Sequence, residues 1–338
     1  MTFELVGEMN SPDPLDQLAL WARAGRGVGL ATVAATWGSS PRPVGSHMAV
    51  ADSGDFAGSV SGGCIEGAVV EAARAAIASG KTQMLEYGVT NEAAWEVGLA
   101  CGGRIQVFVQ PKPTVLEALL AARAAKHVCA VVTDTVSGAQ LLVDGDNLSG
   151  DLCLTDDELM EVRGRIAADK SGIAPYGHLV RVYAPQPRMV VVGAVHIAQA
   201  LAPMAQLAGF DVTVIDPREG FAKSGALAGI KAIVAWPDEA MAEIKPDMRT
   251  AVVTLTHDPK LDDPALAAAL KSEAFYVGAL GSRKTHGKRL ERLAEAGFAE
   301  HDTARIRGPV GLDINALTPA EIAVSILAQV IEELRRDS

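Results

Sequence analysis

Short apolar runs alternate with polar turns along the whole chain, and the way they alternate changes once. In the first half a helix around Leu15–Ala24 precedes a continuous apolar run, Gly27–Trp37, which reads as a buried strand. A turn-rich loop, Gly38–Ser46, follows. His47–Ala51 and Phe56–Val60 then flank Asp52-Ser53-Gly54-Asp55 as the two arms of a hairpin. The pattern next predicts an alanine-rich helix from about Ile65 to Ser79, strands at Thr82–Tyr87 and Arg104–Val109, and a helix at about Val115–Ala125. Strands at Val128–Asp134 and Ala139–Val143, a helix over Asp156–Ala168 and a strand at Leu179–Tyr183 complete this half.

The segment Ala184-Pro185-Gln186-Pro187-Arg188 has no hydrophobic period, and the boundary between two domains, 1–185 and 186–338, is placed there. Beyond it come strand Met189–Val192, helix Ile197–Ala208, and strands Val212–Ile215, Ile233–Ala235 and Ala251–Leu255. Helix Pro264–Leu270, strand Phe275–Val277 and helix Arg283–Ala296 continue the alternation. The expected class is therefore α/β, a C-terminal Rossmann-like parallel sheet with an N-terminal mixed α/β domain. The last helix has a defined start, with Thr318 as N-cap, Pro319 in the first turn and Glu321 closing a capping box. Ile322, Ile326, Val330 and Leu334 form its apolar stripe.

Length agrees with this division, since 338 residues suit about two domains at roughly 150 residues each. Aromatic residues are only 4% of the chain, so the cores rest on Ala, Val, Leu and Ile, as buried parallel strands do. Thirty basic against 41 acidic side chains give a net charge of −11, which argues against a dedicated nucleic-acid binder. Met1–Leu15 carries no basic residue, so no signal-peptide pattern is expected there. Met189–Phe210 is uncharged but broken by Gly193, Pro203 and Gly209, and it reads as strand, turn and helix rather than a membrane span. Cys64, Cys101, Cys129 and Cys153 lack C-x-x-C spacing and are expected as reduced thiols in the cytoplasm. Cys129 and Cys153 sit in apolar, strand-like settings and are expected in the core.

Four stretches could carry chemistry. In Val190–Ala198 a strand runs into Gly193, a turn with His196 and a helix, and Asp216 ends the next strand, which is the outline of a dinucleotide-binding unit. Val195 replaces the central glycine of that fingerprint and crowds the pyrophosphate position; Asp216 could reach a ribose-like hydroxyl or cap Pro217-Arg218. In Ser61-Gly62-Gly63-Cys64 the backbone is free to turn N–H groups inward at a helix start, a setting that favours an anion and a thiolate. The same residues also suit a small buried cysteine behind a glycine turn. Cys101-Gly102-Gly103 repeats the arrangement at the mouth of a strand, so the two cysteines are candidates to face one site; zinc is not expected, because short-interval ligands are missing. Gly281, Ser282 and Arg283 open a helix that also carries Lys284, Lys288, Arg289 and Arg292, a combination suited to phosphate or to a solvated basic face. His47, His196 and His257 fall near strand ends, and no Ser/His/Asp triad is evident.

Taken together, these blocks resemble the xanthine dehydrogenase accessory proteins, the XdhC/CoxI family. The resemblance is carried by residues 31–50, 59–73 and 101–103 in the first half, and by 190–219, 254–259, 276–285 and 309–331 in the second. It implies a helper, more a chaperone than an enzyme, that binds the molybdenum cofactor (molybdopterin), protects or assists its sulfuration and delivers it to apo xanthine dehydrogenase or a related molybdenum hydroxylase. A cysteine desulfurase and a second copy of the chain are further partners it implies. On this resemblance Cys64 and Cys101 are the molybdenum or sulfur contacts, and the glycine turns hold the pterin and its phosphate. Val195 departs from the glycine usual in the family. The alternative is an NAD(P)-dependent oxidoreductase built on residues 188–338; a scaffold that only contacts the apo-enzyme is a third.

Overall fold

The structure, a computed structural model, describes residues 12–38, 42–88, 103–222 and 225–336. Its contacts divide the chain into two compact units, Met1–Pro185 and Gln186–Ser338.

The first unit carries two antiparallel sheets. One contains β1 (Val28–Trp37), β2 (His47–Ala51), β3 (Phe56–Gly58), β4 (Gln83–Tyr87) and β5 (Arg104–Pro111) in the order β3-β2-β1-β5-β4. The other contains β6 (Cys129–Thr133), β7 (Gln140–Asp144), β8 (Asn147–Gly150), β9 (Gly172–Ile173) and β10 (Leu179–Tyr183) in the order β8-β7-β6-β10-β9. Helices α1 (Pro14–Arg23) and α3 (Leu116–Ala124) fill the space the sheets share, where Leu18, Leu119, Leu30 and Leu142 belong to one core. Helix α2 (Glu66–Ser79) covers the outer face of the first sheet through Val69, Ala73 and Ala76. Helix α4 (Asp156–Ala167) covers the second sheet through Val162. Small residues on α2 let the helix lie close to the sheet, which is how the unit packs with so few aromatics.

The second unit is a six-stranded sheet, parallel throughout, of β11 (Arg188–Val192), β12 (Asp211–Ile215), β13 (Lys231–Ile233), β14 (Thr250–Thr254), β15 (Tyr276–Ala279) and β16 (Ile306–Arg307). Its order, β13-β12-β11-β14-β15-β16, reverses direction between β11 and β14, and ligands of such sheets bind at the carboxyl ends of the strands beside that reversal. Helices α5 (His196–Leu207) and α11 (Pro319–Leu334) share one core with Val191 and Val253 of the sheet. Leu266 of α8 (Pro259–Leu270), Leu293 of α9 (Arg283–Glu295) and Met241 of α7 (Pro237–Ile244) pack with Val190 and Val252 on the opposite face. Three short helical turns, α6 (Glu219–Ala222), residues 225–227 and α10 (Glu300–Thr303), lie in the connections.

The expected class is observed, with the first unit's strands antiparallel. Thr318 and Glu321 form the capping box read from the sequence. Apart from the short helical turns and two-residue β16, three elements carry no mark in the sequence pattern. The exposed strand β8 has no apolar period, two-residue β9 is too short to show one, and Pro237 opens α7 within a polar stretch. Helix α8 starts at Pro259 rather than Pro264, because Asp258 caps it and Pro259 suits the first helical position; Pro264 lies inside the helix. Cys153 is corrected from core to exposed: Leu152 and Leu154 turn inward on either side of it, so the cysteine faces out. Cys129 is buried as expected, and burial pushes its thiol up to about 11.

Candidate functional site

Strand β3 ends at Gly58, and the chain turns through residues 59–65 before α2 begins. Gly62 and Gly63 both adopt positive φ (79° and 115°), a backbone that side chains disfavour, which is why two glycines stand there. The turn places Cys64 in an exposed position. The inward-facing N–H groups expected to hold an external anion are instead satisfied from within. The Glu66 carboxylate, only 8% exposed, accepts from the Ser59 and Ser61 hydroxyls (both 2.6 Å). It also accepts from the backbone N–H groups of Ser61 and Gly63 (both 2.9 Å), Ile65 (3.2 Å) and Val60 (3.3 Å). Gly62 donates to Ser59 Oγ (2.8 Å), and Cys64 donates to Ser61 Oγ (3.0 Å). Burial opposes ionisation of Glu66, but the serine hydroxyls and the Ser61 N–H outweigh it and hold the carboxyl down at about 2. The Ser-Gly-Gly turn is therefore an anion nest whose donors are taken up by the chain's own carboxylate.

The register of the first sheet locates the neighbours of this turn. Gly58 pairs with Met48, Thr32 with His47, and Trp37 with Arg104, so the turn after β3, the end of β1 and Gly103 before β5 all lie toward the same end of the sheet's strands, with Arg104 paired six positions further along β1 than the level of Gly58. Cys101 and Gly102 lie outside the described residues. His47 bridges Thr32 (3.0 Å) and Tyr183 (2.8 Å), stacks on the Tyr183 ring at 5.7 Å, and is pushed down to about 3 by burial and by Arg181. A neutral imidazole tied at both nitrogens is a tether between the two sheets, and it is not a free base.

In the second unit Gly193 (φ 103°) ends β11, and a side chain there would run into the Thr256 methyl. Asp216, fully buried, faces this turn: it accepts from the Ala194 N–H (2.8 Å), the Arg218 N–H (2.9 Å) and two guanidinium nitrogens of Arg218 (2.9 and 2.7 Å). Burial raises its pKa, but the Arg218 guanidinium and the Ala194 N–H more than offset that and hold it below the usual carboxylate range. Of the two roles open to Asp216, the structure shows the one that caps Arg218. Val195 is the N-cap of α5, with no side-chain hydrogen bond, and His196 is exposed at the first helical position. His257 is exposed after β14 with φ 61°.

Gly281, Ser282 and Arg283 lie where β15 runs into α9; Ser282 caps the helix by accepting from Thr285 N–H (3.2 Å), and Arg283 is exposed. The functional candidate that the sequence concealed is Arg289. It is 2% exposed, donates to Leu280 O (2.8 Å) and stands 3.6 Å from the buried Asp262 carboxylate. Its Nε and Nη1, Asp262 Oδ2 and the nearby His286 Nδ1 have no hydrogen-bond partner among the described residues. Asp262 in turn accepts from the Thr256 hydroxyl (2.6 Å). The pair thus links the loop after β14 to the loop after β15. Burial raises the Asp262 carboxyl and lowers the Arg289 guanidinium and the His286 imidazole. Among five cations on one helix, only its i, i+4 relation to Thr285 and its place on the Leu293 face distinguished Arg289.

Comparison with known proteins matches residues 189–330 to the XdhC Rossmann domain and residues 21–88 to the XdhC and CoxI family. The molybdenum cofactor insertion chaperone PaoD of Escherichia coli K12 is 30% identical over 309 residues, 91% of this chain and 83% of that one. A protein of Bacillus subtilis 168 described as a probable xanthine dehydrogenase subunit is 26% identical over 319 residues, 91% of this chain and 93% of that one. A crystal structure described as a xanthine dehydrogenase from Bacillus halodurans has the same fold, with a TM-score of 0.74, 24% identity and 96% coverage of each chain. No helix among the described residues is long and apolar enough to cross a membrane.

Proposed function

The chain belongs to the XdhC and CoxI family, and from that premise we propose that it carries the molybdenum cofactor to a molybdenum hydroxylase such as apo xanthine dehydrogenase. The observation that supports this most directly is the exposed Cys64 thiol on a turn whose own polar groups are fully engaged. Such a turn spends no hydrogen bonds on reorganisation when a ligand arrives, and the group it presents outward is a soft sulfur suited to a metal centre. Cys101 and Gly103 are the candidates to join it, with Gly103 toward the same end of the sheet's strands. Within the second unit, the glycine turn at Gly281 and Ser282, with Arg283, is the candidate for holding a phosphate group. A cysteine desulfurase is the proposed source of sulfur for the carried cofactor. Mass spectrometry of the protein purified natively from a molybdate-fed host tests the reading. Molybdopterin is expected to accompany the chain; protein that carries no pterin and fails to activate apo xanthine dehydrogenase would refute it.

The strand order of the second unit favours one other reading, an NAD(P)-dependent oxidoreductase. Asp216 argues against it, because the carboxylate that would meet a ribose hydroxyl is held by Arg218 and the Ala194 N–H. Val195 adds a branched side chain where a dinucleotide needs close backbone approach. Calorimetry is expected to show no NAD or NADP binding at micromolar concentrations, and Val195→Gly to leave affinity unchanged or improved. Micromolar affinity of the parent protein would overturn this expectation.

A further inference from the structure

A backbone turn that gathers N–H groups at the start of a helix ordinarily holds a bound anion. Here the chain provides the anion itself, because Glu66, the first residue of α2, folds its carboxylate back beneath the turn that precedes it. From this arrangement we infer that Glu66 is the positioning residue of the Cys64 turn and an electrostatic filter for it: it fixes the loop with the thiol outward and bars phosphate groups from the turn. The inference rests on the reading of Cys64 as the ligand contact and narrows it. The cofactor meets this turn through its metal or sulfur, and its phosphate is held elsewhere.

The physical argument has two parts. First, every backbone N–H from Val60 to Ile65 already has an acceptor in Glu66, Ser59 or Ser61, so a phosphate would find no donor without displacing a carboxylate held by six hydrogen bonds. Second, displacement is opposed by charge, since a buried carboxylate of fixed charge repels any anion that approaches. A soft centre that meets the outward thiol needs none of these donors, so it does not have to displace the carboxylate. Glutamine at this position keeps the size and one acceptor oxygen but puts an amide donor against N–H and O–H donors, and it removes the charge.

Alkylation of the full-length protein separates these effects, because iodoacetate is an anion and iodoacetamide is neutral. In Glu66→Gln the ratio of iodoacetate to iodoacetamide rates at Cys64, read by peptide mass spectrometry, is expected to rise about threefold or more over the parent. At exposed Cys153 the ratio is expected to stay constant, and in Glu66→Asp, which keeps the charge, the Cys64 ratio is expected to stay at the parent value. In the parent, tens of millimolar pyrophosphate should leave Cys64 alkylation unslowed, a measurement that needs no variant to fold. An unchanged Cys64 ratio in folded Glu66→Gln, or protection of parental Cys64 by pyrophosphate, would overturn the inference. Both readouts are independent of molybdenum, so they distinguish failure of the Glu66 inference from failure of the carrier reading.

Discussion

Arg289→Ala is expected to destabilise the second unit by about 3–5 kcal/mol, the range for removing one partner of a buried ion pair. The guanidinium is buried behind the turn between β15 and α9, where it supports Leu280 O and faces Asp262. Its loss leaves Asp262 buried without its cation, and the Asp262–Thr256 bond then has nothing on its far side to hold the α8 carboxylate in place. The loops after β14 and β15 would loosen together, and both lie at the carboxyl edge of the sheet. Urea unfolding measures the loss, and hydrogen exchange in β14 and β15 localises it. Replacing both charges, as in Arg289→Met with Asp262→Leu, should recover much of the stability, since an apolar pair of similar volume avoids the desolvation cost. A single variant that costs less than about 1 kcal/mol, the value of an exposed pair, would show that the two charges are not coupled.

The parts of this molecule that were legible in the sequence are those that depend on local pattern. Continuous apolar runs marked β1, β11 and β14 because each is buried on both faces. The Thr318–Glu321 box marked α11 because capping chemistry is contained within four positions. Site chemistry was legible only as far as the backbone carries it. Glycines announced the turns at Gly62-Gly63, Gly193 and Gly281, but not what fills them. Glu66 sits two positions after the cysteine and reads as an ordinary first-turn acid; only the fold shows its carboxylate turned back under Ser61. For Asp216 the sequence left two roles open, a ribose-like hydroxyl or a cap on Pro217-Arg218, and the chelate with Arg218 is the second. In the basic run from Arg283 to Arg292, charge composition could not separate exposed Arg283 from buried Arg289, because the distinction lies in Asp262, 27 positions away.

Cys64→Ala is expected to have the largest functional effect. The turn has its backbone donors paired, and the first-unit histidine toward the same end of the strands is tied at both nitrogens by Thr32 and Tyr183. Cys129 is buried in β6, and its thiol is pushed up to about 11, which keeps it protonated and unavailable as a ligand. Cys153 is exposed but follows β8 of the other sheet. Among the described residues Cys64 is therefore the exposed cysteine at this end of the first sheet. Loss of a direct ligand should exceed the roughly 10–100-fold loss of affinity that changes around a metal site produce. The expected result is a fall of about a hundredfold or more in molybdenum retained per chain, with a matching loss of apo xanthine dehydrogenase activation. Pterin retention should fall less, because the thiol is proposed to meet the metal and not the pterin. Cys153→Ala serves as the control for a surface thiol and should retain parental loading. Metal content by elemental mass spectrometry and pterin by fluorescence after oxidation separate the two contributions. If Cys64→Ala binds molybdenum and activates the apo-enzyme as well as the parent does, the thiol is not the contact, and the rigid geometry of the turn must serve protein docking instead of metal capture.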